Sequence, residues 1–279
     1  MRKFISQFIP PAVFKVLGYI RSKNNPKTKQ YYPKWHTIHG GRLKGRKFLI
    51  DPVDNLWQAE ILSGTLDGFM FDYLKSKSLS GKTVLDIGAH IGYHTLMFAD
   101  LVGDRGKVYA FEPNKVNLER LKSNIKENSD LSPRIQVLDV ALSNKDGKQE
   151  FNFSPDIENG QSSGSFLVES HTPATREDYK RMGFQKTVVK TATIDHLDKL
   201  LGHQVRPDLM KIDVEGAEYL VLSGAKKVLR AINPMVLVEV HSIYNMYRLM
   251  EIFEEVGYQM KLIKEEDRRC FFGCRSTRS

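Results

Sequence analysis

From residue 83 onward, short apolar runs alternate with segments of helical period. Val84-Leu85-Asp86-Ile87 reads as a buried strand ended by Gly88, and Val108-Tyr109-Ala110-Phe111 as a second, ended by Glu112-Pro113. Tyr93 to Leu101 fits one short helix between them. Asn114 to Asn128 predicts a longer helix, with Leu118, Leu121 and Ile125 on one face and Asn114 as its cap. Further strands are predicted at Ile135 to Leu138, Leu209 to Ile212 and Met235 to Val240. The last two are entered from Pro207 and from Asn233-Pro234. A helix from Ile243 to Val256, stopped by Gly257, then leads into a strand from Tyr258 to Ile263. Strands alternating with helices on this spacing predict an α/β fold with a doubly wound, mostly parallel, Rossmann-like sheet.

Two regions break the rhythm. Residues 143–195 form an insert with expected strands at 149–153 and 187–193 around a Ser/Gly/Asn-rich loop at 159–165. Ahead of the sheet, Gly40-Gly41, Phe48-Leu49-Ile50 and Asp51-Pro52 suggest a small hairpin within 36–62. The expected organisation is a basic amphipathic extension and linker over 1–35 and a single domain over 36–279, with its core at 83–263.

Charge sharpens the picture at the ends. The 279 residues include 42 Lys or Arg and 33 Asp or Glu, a net +9. Residues 1–50 hold 12 basic residues and no acidic one, whereas 51–260 hold 24 basic and 30 acidic, a net −6. An acidic body argues against a nucleic-acid partner. The extension interleaves Lys3, Lys15, Arg21 and Lys23 with Phe4, Ile5, Phe8, Ile9, Val13, Phe14, Val16, Leu17 and Ile20. Two readings stand for residues 1–30: a helix packed on the domain or a frayed tail, and peripheral contact with an anionic membrane. No apolar run is long enough to span a bilayer, and two cysteines make no disulfide framework, so a cytoplasmic setting is expected. Nothing in the pattern fixes an oligomeric state.

Ligands of an open parallel sheet bind beyond the C-terminal strand ends. There the chain carries Asp86-Ile87-Gly88-Ala89-His90-Ile91-Gly92, and Glu112 follows 20 residues after Gly92, placed to accept the hydrogen bonds of a ribose diol. A dinucleotide fingerprint would have a second glycine where His90 stands, and Asp86 would oppose a pyrophosphate. A sulfonium donor carrying an ammonium group suits that field better. The charge pattern favours S-adenosylmethionine over NAD.

Together, Val84 to Thr95, Ala110-Phe111-Glu112-Pro113, Lys211-Ile212-Asp213-Val214-Glu215-Gly216-Ala217-Glu218 and Val238-Glu239-Val240-His241 resemble the successive signatures of the FkbM-type methyltransferases. The resemblance implies a class I methyltransferase fold and O-methylation of a hydroxyl on a sugar, glycan or small secondary metabolite. It implies that Asp86, Gly88 and Gly92 line the methionine end of S-adenosylmethionine and that Glu112 holds the ribose. Asp139, or the backbone near Val140-Ala141, would meet the adenine, and Asp213 would face the sulfonium. His90 stands where the family commonly has Asn, so its contact to the cofactor is an open position.

An alcohol needs help to lose its proton, and general base assistance typically contributes ~10²–10⁴-fold. The candidates are Asp213, Glu215, Glu239 and His241, each pair alternating along an extended segment. His241 suits the role through its ordinary pKa near neutrality. The same groups offer a site for Mg²⁺, which would lower the acceptor's pKa. Glu218 reads as a charge complementing a helix start. Cys270 and Cys274 read as plain thiols. A nucleic-acid methyltransferase and a nicotinamide-dependent oxidoreductase are the alternatives, the second weakened by the missing glycine and by Asp86.

Overall fold

The computed structural model describes residues 33–52, 56–153, 164–171, 173–181, 183–266 and 269–277. The extension expected over residues 1–30 and most of the loop expected at 159–165 lie outside them.

Lys34–Thr37 (β1) and Lys47–Ile50 (β2) pair antiparallel, Lys34 opposite Ile50. This is the small hairpin expected ahead of the sheet, and it is followed by two helices the sequence reading did not assign, Leu56–Ser63 (α1) and Gly68–Lys75 (α2). Leu56, Gln58, Ala59, Glu60 and Leu62 are all good helix formers, and the left-handed Gly64 stops the run. Thr83–Ile87 (β3), Tyr93–Val102 (α3), Lys107–Phe111 (β4), Lys115–Glu127 (α4) and Ile135–Leu138 (β5) follow the sequence reading closely. Asn114 caps α4, its side chain accepting the Val116 N–H at 3.1 Å.

The insert contributes Ala141–Leu142 (β6), Gly147–Phe153 (β7), Phe166–Leu167 (β8), Pro173–Arg181 (α5) and Gln185–Ala192 (β9). Its strands form a sheet of their own, ordered β6-β9-β7-β8. After Leu197–Leu201 (α6), the main sheet resumes with Leu209–Ile212 (β10), and Glu218–Ser223 (α7) and Lys226–Ile232 (α8) lead to Met235–Val240 (β11). Ile243–Val256 (α9), Tyr258–Glu266 (β12) and Arg269–Ser276 (β13) complete the chain's elements.

The seven-stranded sheet runs β12-β13-β11-β10-β3-β4-β5, parallel except for β13, which pairs antiparallel with both neighbours. β13 is absent from the sequence reading. Its Arg-Cys-Phe-Phe-Gly-Cys-Arg-Ser run has charged ends and a central glycine, a weak strand signal. Burial on both faces explains the short apolar runs of the central strands. Val84, Val108, Ala110 and Leu209 point into a core under α1 to α4. Leu85, Ile87, Tyr109, Phe111, Met210 and Ile212 point into a second core packed by α6, α8 and α9. A third, smaller core joins the insert to α7 through Phe151, Leu167, Val189, Ala217 and Leu220. The strand order reverses between β3 and β10, which opens a crevice at their C-terminal ends.

Candidate active site

The turn after β3 is shaped by its neighbours. Gly88 has φ +81°, and a β-carbon there would stand 1.8 Å from the Asp213 carbonyl oxygen at the end of β10. Gly92 has φ +95°, and a β-carbon would meet Leu121 Cδ1 of α4 at 2.6 Å. Both glycines therefore permit chain to approach chain. Gly88 also lines the crevice, whereas Gly92 lies under α4 and does not line it.

The crevice is a cavity of about 740 Å³, bounded by the strand ends, α1, the insert and the start of α9. That volume lies within the usual ~300–1,000 Å³ of ligand sites. At one end, Glu112 Oε2 accepts the His90 N–H at 2.8 Å and Oε1 accepts the Asn114 N–H at 2.9 Å. Burial pushes its carboxyl up to about 7 against those hydrogen bonds. His90 has a left-handed backbone, φ +52°, and its ring packs on Trp57 with centroids 5.0 Å apart. Burial holds the imidazole neutral, with a pKa of about 3. Val140, Ala141, Leu142 and Phe151 form an apolar wall beside Glu112. Asp139 is exposed, pairs with Lys115 and does not face the cavity, so of the two adenine positions only the Val140-Ala141 stretch lies on it.

Asp86 stands one layer behind this surface. It is fully buried, accepts the Thr95 hydroxyl at 2.5 Å and lies 3.5 Å from Lys211 Nζ. Lys211, itself buried, donates to the Gly88 carbonyl at 3.0 Å and reaches Asp213 Oδ2 at 3.4 Å. Burial alone would lower its pKa, but Asp213 and Asp86 hold it charged. The negative field expected from Asp86 is thus met inside the protein by Lys211. A lysine inside the apolar run Leu-Met-Lys-Ile signals a buried cation that needs anionic partners, but which ones is seen only in the fold, where Asp86 of β3 and Asp213 just beyond β10 supply them.

At the other end, His241 gathers all the acceptor-side candidates. Its Nε2 lies 3.1 Å from Glu239, 3.5 Å from Glu215 and 3.7 Å from Asp213. Its Nδ1 lies 2.7 Å from Glu218 Oε1. Glu218 is fully buried, accepts the Gly216 N–H at 2.9 Å and is held by Asn245 Nδ2 at 2.9 Å. It is more than a helix-start charge: it orients the imidazole. Burial opposes protonation of His241, yet Glu218, Glu239 and Glu215 raise its pKa well above the usual value. This corrects the expectation of an imidazole poised near neutrality. Asp213, partly buried and facing Lys211 and His241, is lowered to about 2. Loss of bulk water around the carboxyl within the cavity raises Glu215 to about 7, with His241 opposing and Asp213 and Glu239 adding, although the side chain stays partly exposed. It has φ +53°, so it meets His241 from a left-handed turn and not by strand alternation. Arg269 of β13, unforeseen from sequence, donates to Glu239 Oε1 at 3.0 Å.

Donor atoms of Asp213, Glu239 and His241 lie within 4.8 Å of one another. The set does not suit Mg²⁺. That ion favours oxygen donors, and an imidazole occupies a third of the set. The carboxylates are also already met by Lys211, Arg269 and His241.

Residues 86–260 match the model of the methyltransferase FkbM domain. The chain belongs to this family. It is a methyltransferase, and the nicotinamide reading is set aside. Among relatives, the hexuronic acid methyltransferase AglP of Haloferax volcanii is 29% identical over 197 residues, covering 70% of each chain. The AMB antimetabolite synthetase AmbE of Pseudomonas aeruginosa is 27% identical over 183 residues, 57% of this chain and 8% of that protein. A crystal structure of methyltransferase FkbM from Methylobacillus flagellatus aligns at a TM-score of 0.48 with 18% identity, over 70% of this chain and 44% of that one. Among the described residues, no helix is long and apolar enough to cross a membrane.

Proposed function

We propose that the protein is an S-adenosylmethionine-dependent O-methyltransferase acting on a hydroxyl of a glycan or small metabolite. One observation carries the reading: a single cavity has a ribose-type carboxylate, Glu112, at one end and a cluster able to handle a proton at the other. Glu112 would take the ribose diol, the Val140-Ala141 stretch would flank the adenine, and Asp213 would face the sulfonium. When bound, the donor supplies an electrophilic methyl carbon to an acceptor oxygen in line with it. The chain's own contribution is alignment, exclusion of water by the insert, and removal of the hydroxyl proton. The relative that modifies hexuronic acid supports a glycan acceptor. Residues 1–30 would bring the enzyme to an anionic membrane carrying such an acceptor, which co-sedimentation with anionic vesicles checks.

Calorimetric titration with S-adenosylmethionine and S-adenosylhomocysteine tests the donor, followed by methyl transfer to a panel of hexuronic acid and hexose glycosides. Absence of binding by either compound to folded protein defeats the proposal. Methylation of RNA or DNA in the same assay would favour the nucleic-acid reading.

A further inference from the structure

We propose that Glu215 is the general base that takes the acceptor's hydroxyl proton. The inference rests on the O-methyltransferase reading above and assigns one group within it.

The other groups are each disqualified by what touches them. His241 has Glu218 on Nδ1 and three carboxylates around Nε2, so it is held as an imidazolium, with no lone pair to offer. Asp213 faces the fully charged Lys211 at 3.4 Å and is too weak a base. Glu239 is 5% exposed, and its Oε1 is shared between Arg269 at 3.0 Å and His241 at 3.1 Å. Glu218 is fully buried behind the imidazole. Glu215 alone combines access with capacity. Its side chain is 36% exposed and lines the cavity. Among the described residues no lysine or arginine lies within 4 Å of it, and its near neighbours with charge or a titratable proton are His241, Asp213, Glu239 and Tyr179.

Two features aim it. The Gly164 N–H, from the insert that covers the cavity, donates to Oε1 at 3.1 Å and leaves Oε2 on the side of His241. Its backbone is left-handed, a conformation that a β-carbon disfavours and that glycine adopts freely. A glutamate is kept where glycine would fold more easily. With the carboxyl near neutrality, Glu215 is ionised enough to accept a proton and basic enough to hold it.

The balance of the step is simple. As the acceptor oxygen forms its bond to the methyl carbon, the carbon–sulfur bond breaks and its electron pair stays on sulfur. Glu215 takes the O–H proton and later returns it to water. His241, remaining charged, steadies the Glu215 carboxylate beforehand.

A carboxyl titration and the behaviour of two variants test this. In protein labelled at glutamate carboxyl carbons, the resonance lost in Glu215→Gln should titrate near pH 7. A midpoint below pH 5 overturns the proposal, whether or not an acceptor is known. With a methylated glycoside from the panel above, Glu215→Gln should lower kcat ~10²–10⁴-fold. Donor affinity should hold, and at donor concentrations that saturate the enzyme at every pH the rising limb of the kcat–pH profile should vanish. Glu215→Gly should raise Tm by about 2–4 °C while turnover collapses, and formate should restore part of it. Retention of wild-type kcat and pH profile in Glu215→Gln overturns the assignment. Failure of the wild type to methylate any glycoside, with donor bound, counts against the acceptor class and leaves the carboxyl titration to judge Glu215.

Discussion

The side chains that bear most on the chemistry are held in non-standard ways, and each makes a different experimental demand. Glu112 is buried and raised to about 7 from 4.5. In the proposed role, ribose hydroxyls would donate best to its ionised form. Donor affinity should therefore climb as pH rises through about 7 and then level, with up to ~10-fold lost per pH unit below that point. Calorimetry across pH 5.5–8.5, an interval of roughly three units around that midpoint, reads this directly. Glu112→Gln should weaken binding by about 10- to 100-fold, as charge-assisted hydrogen bonds are worth ~1.5–3 kcal/mol, and should flatten the profile. The same shift makes the ionised carboxylate costly to the free protein. Its contribution to stability is present below 4.5 and is lost as pH rises to about 7. Lys211→Met would leave Asp86 buried without its cation, at a cost of about 3–5 kcal/mol, visible as a large drop in the urea midpoint. Glu112 and the His241 quartet were legible because residue type at a strand end limits what a group can do. Lys211, Glu218 and Arg269 were not, since their role is to answer other charges, and only the assembled neighbours show which charges need answering.

The elements divide in the same way. β3, β4, β10 and β11 announce themselves, because a strand buried on both faces must be apolar along its length and is bounded by turn residues. α4 is equally legible from its 3.6-residue period and its cap. Asn114→Ala should cost about 1 kcal/mol in chemical denaturation, without moving the donor site's pH midpoint. The helix α1 went unassigned because its apolar residues fall in a run with no clean period. β13 escaped because it lies inside the sheet, next to the edge strand β12, yet is short of β-branched residues, its place being set by pairing with β11 and β12. Gly88→Ala belongs here too, since it separates two strand ends. With a β-carbon 1.8 Å from the Asp213 carbonyl and a left-handed backbone, it should destabilise by several kcal/mol, or ~2–5 as for other large steric losses. A thermal melt would show this before any assay does.

At the scale of the whole molecule, the central strand β10 arrives after the insert yet sits against β3. Thr83 N–H donates to Asp208 across 125 residues of chain, and Gly88 closes on Asp213 over a similar stretch. Pairings this remote are slow to find, because the loop must close before the contact rewards it. Amides of β3 and β4 should gain protection from hydrogen exchange before those of β10 in a refolding pulse. On that order of events the crevice would be a late product of assembly. A chain that has made β3 to β5 has Glu112 in place but no far wall, so it holds half a socket. If the proposed donor binds there, cells overproducing this protein would gain little from abundant methyl donor early in maturation, because it could stabilise the chain only after β10 has joined β3.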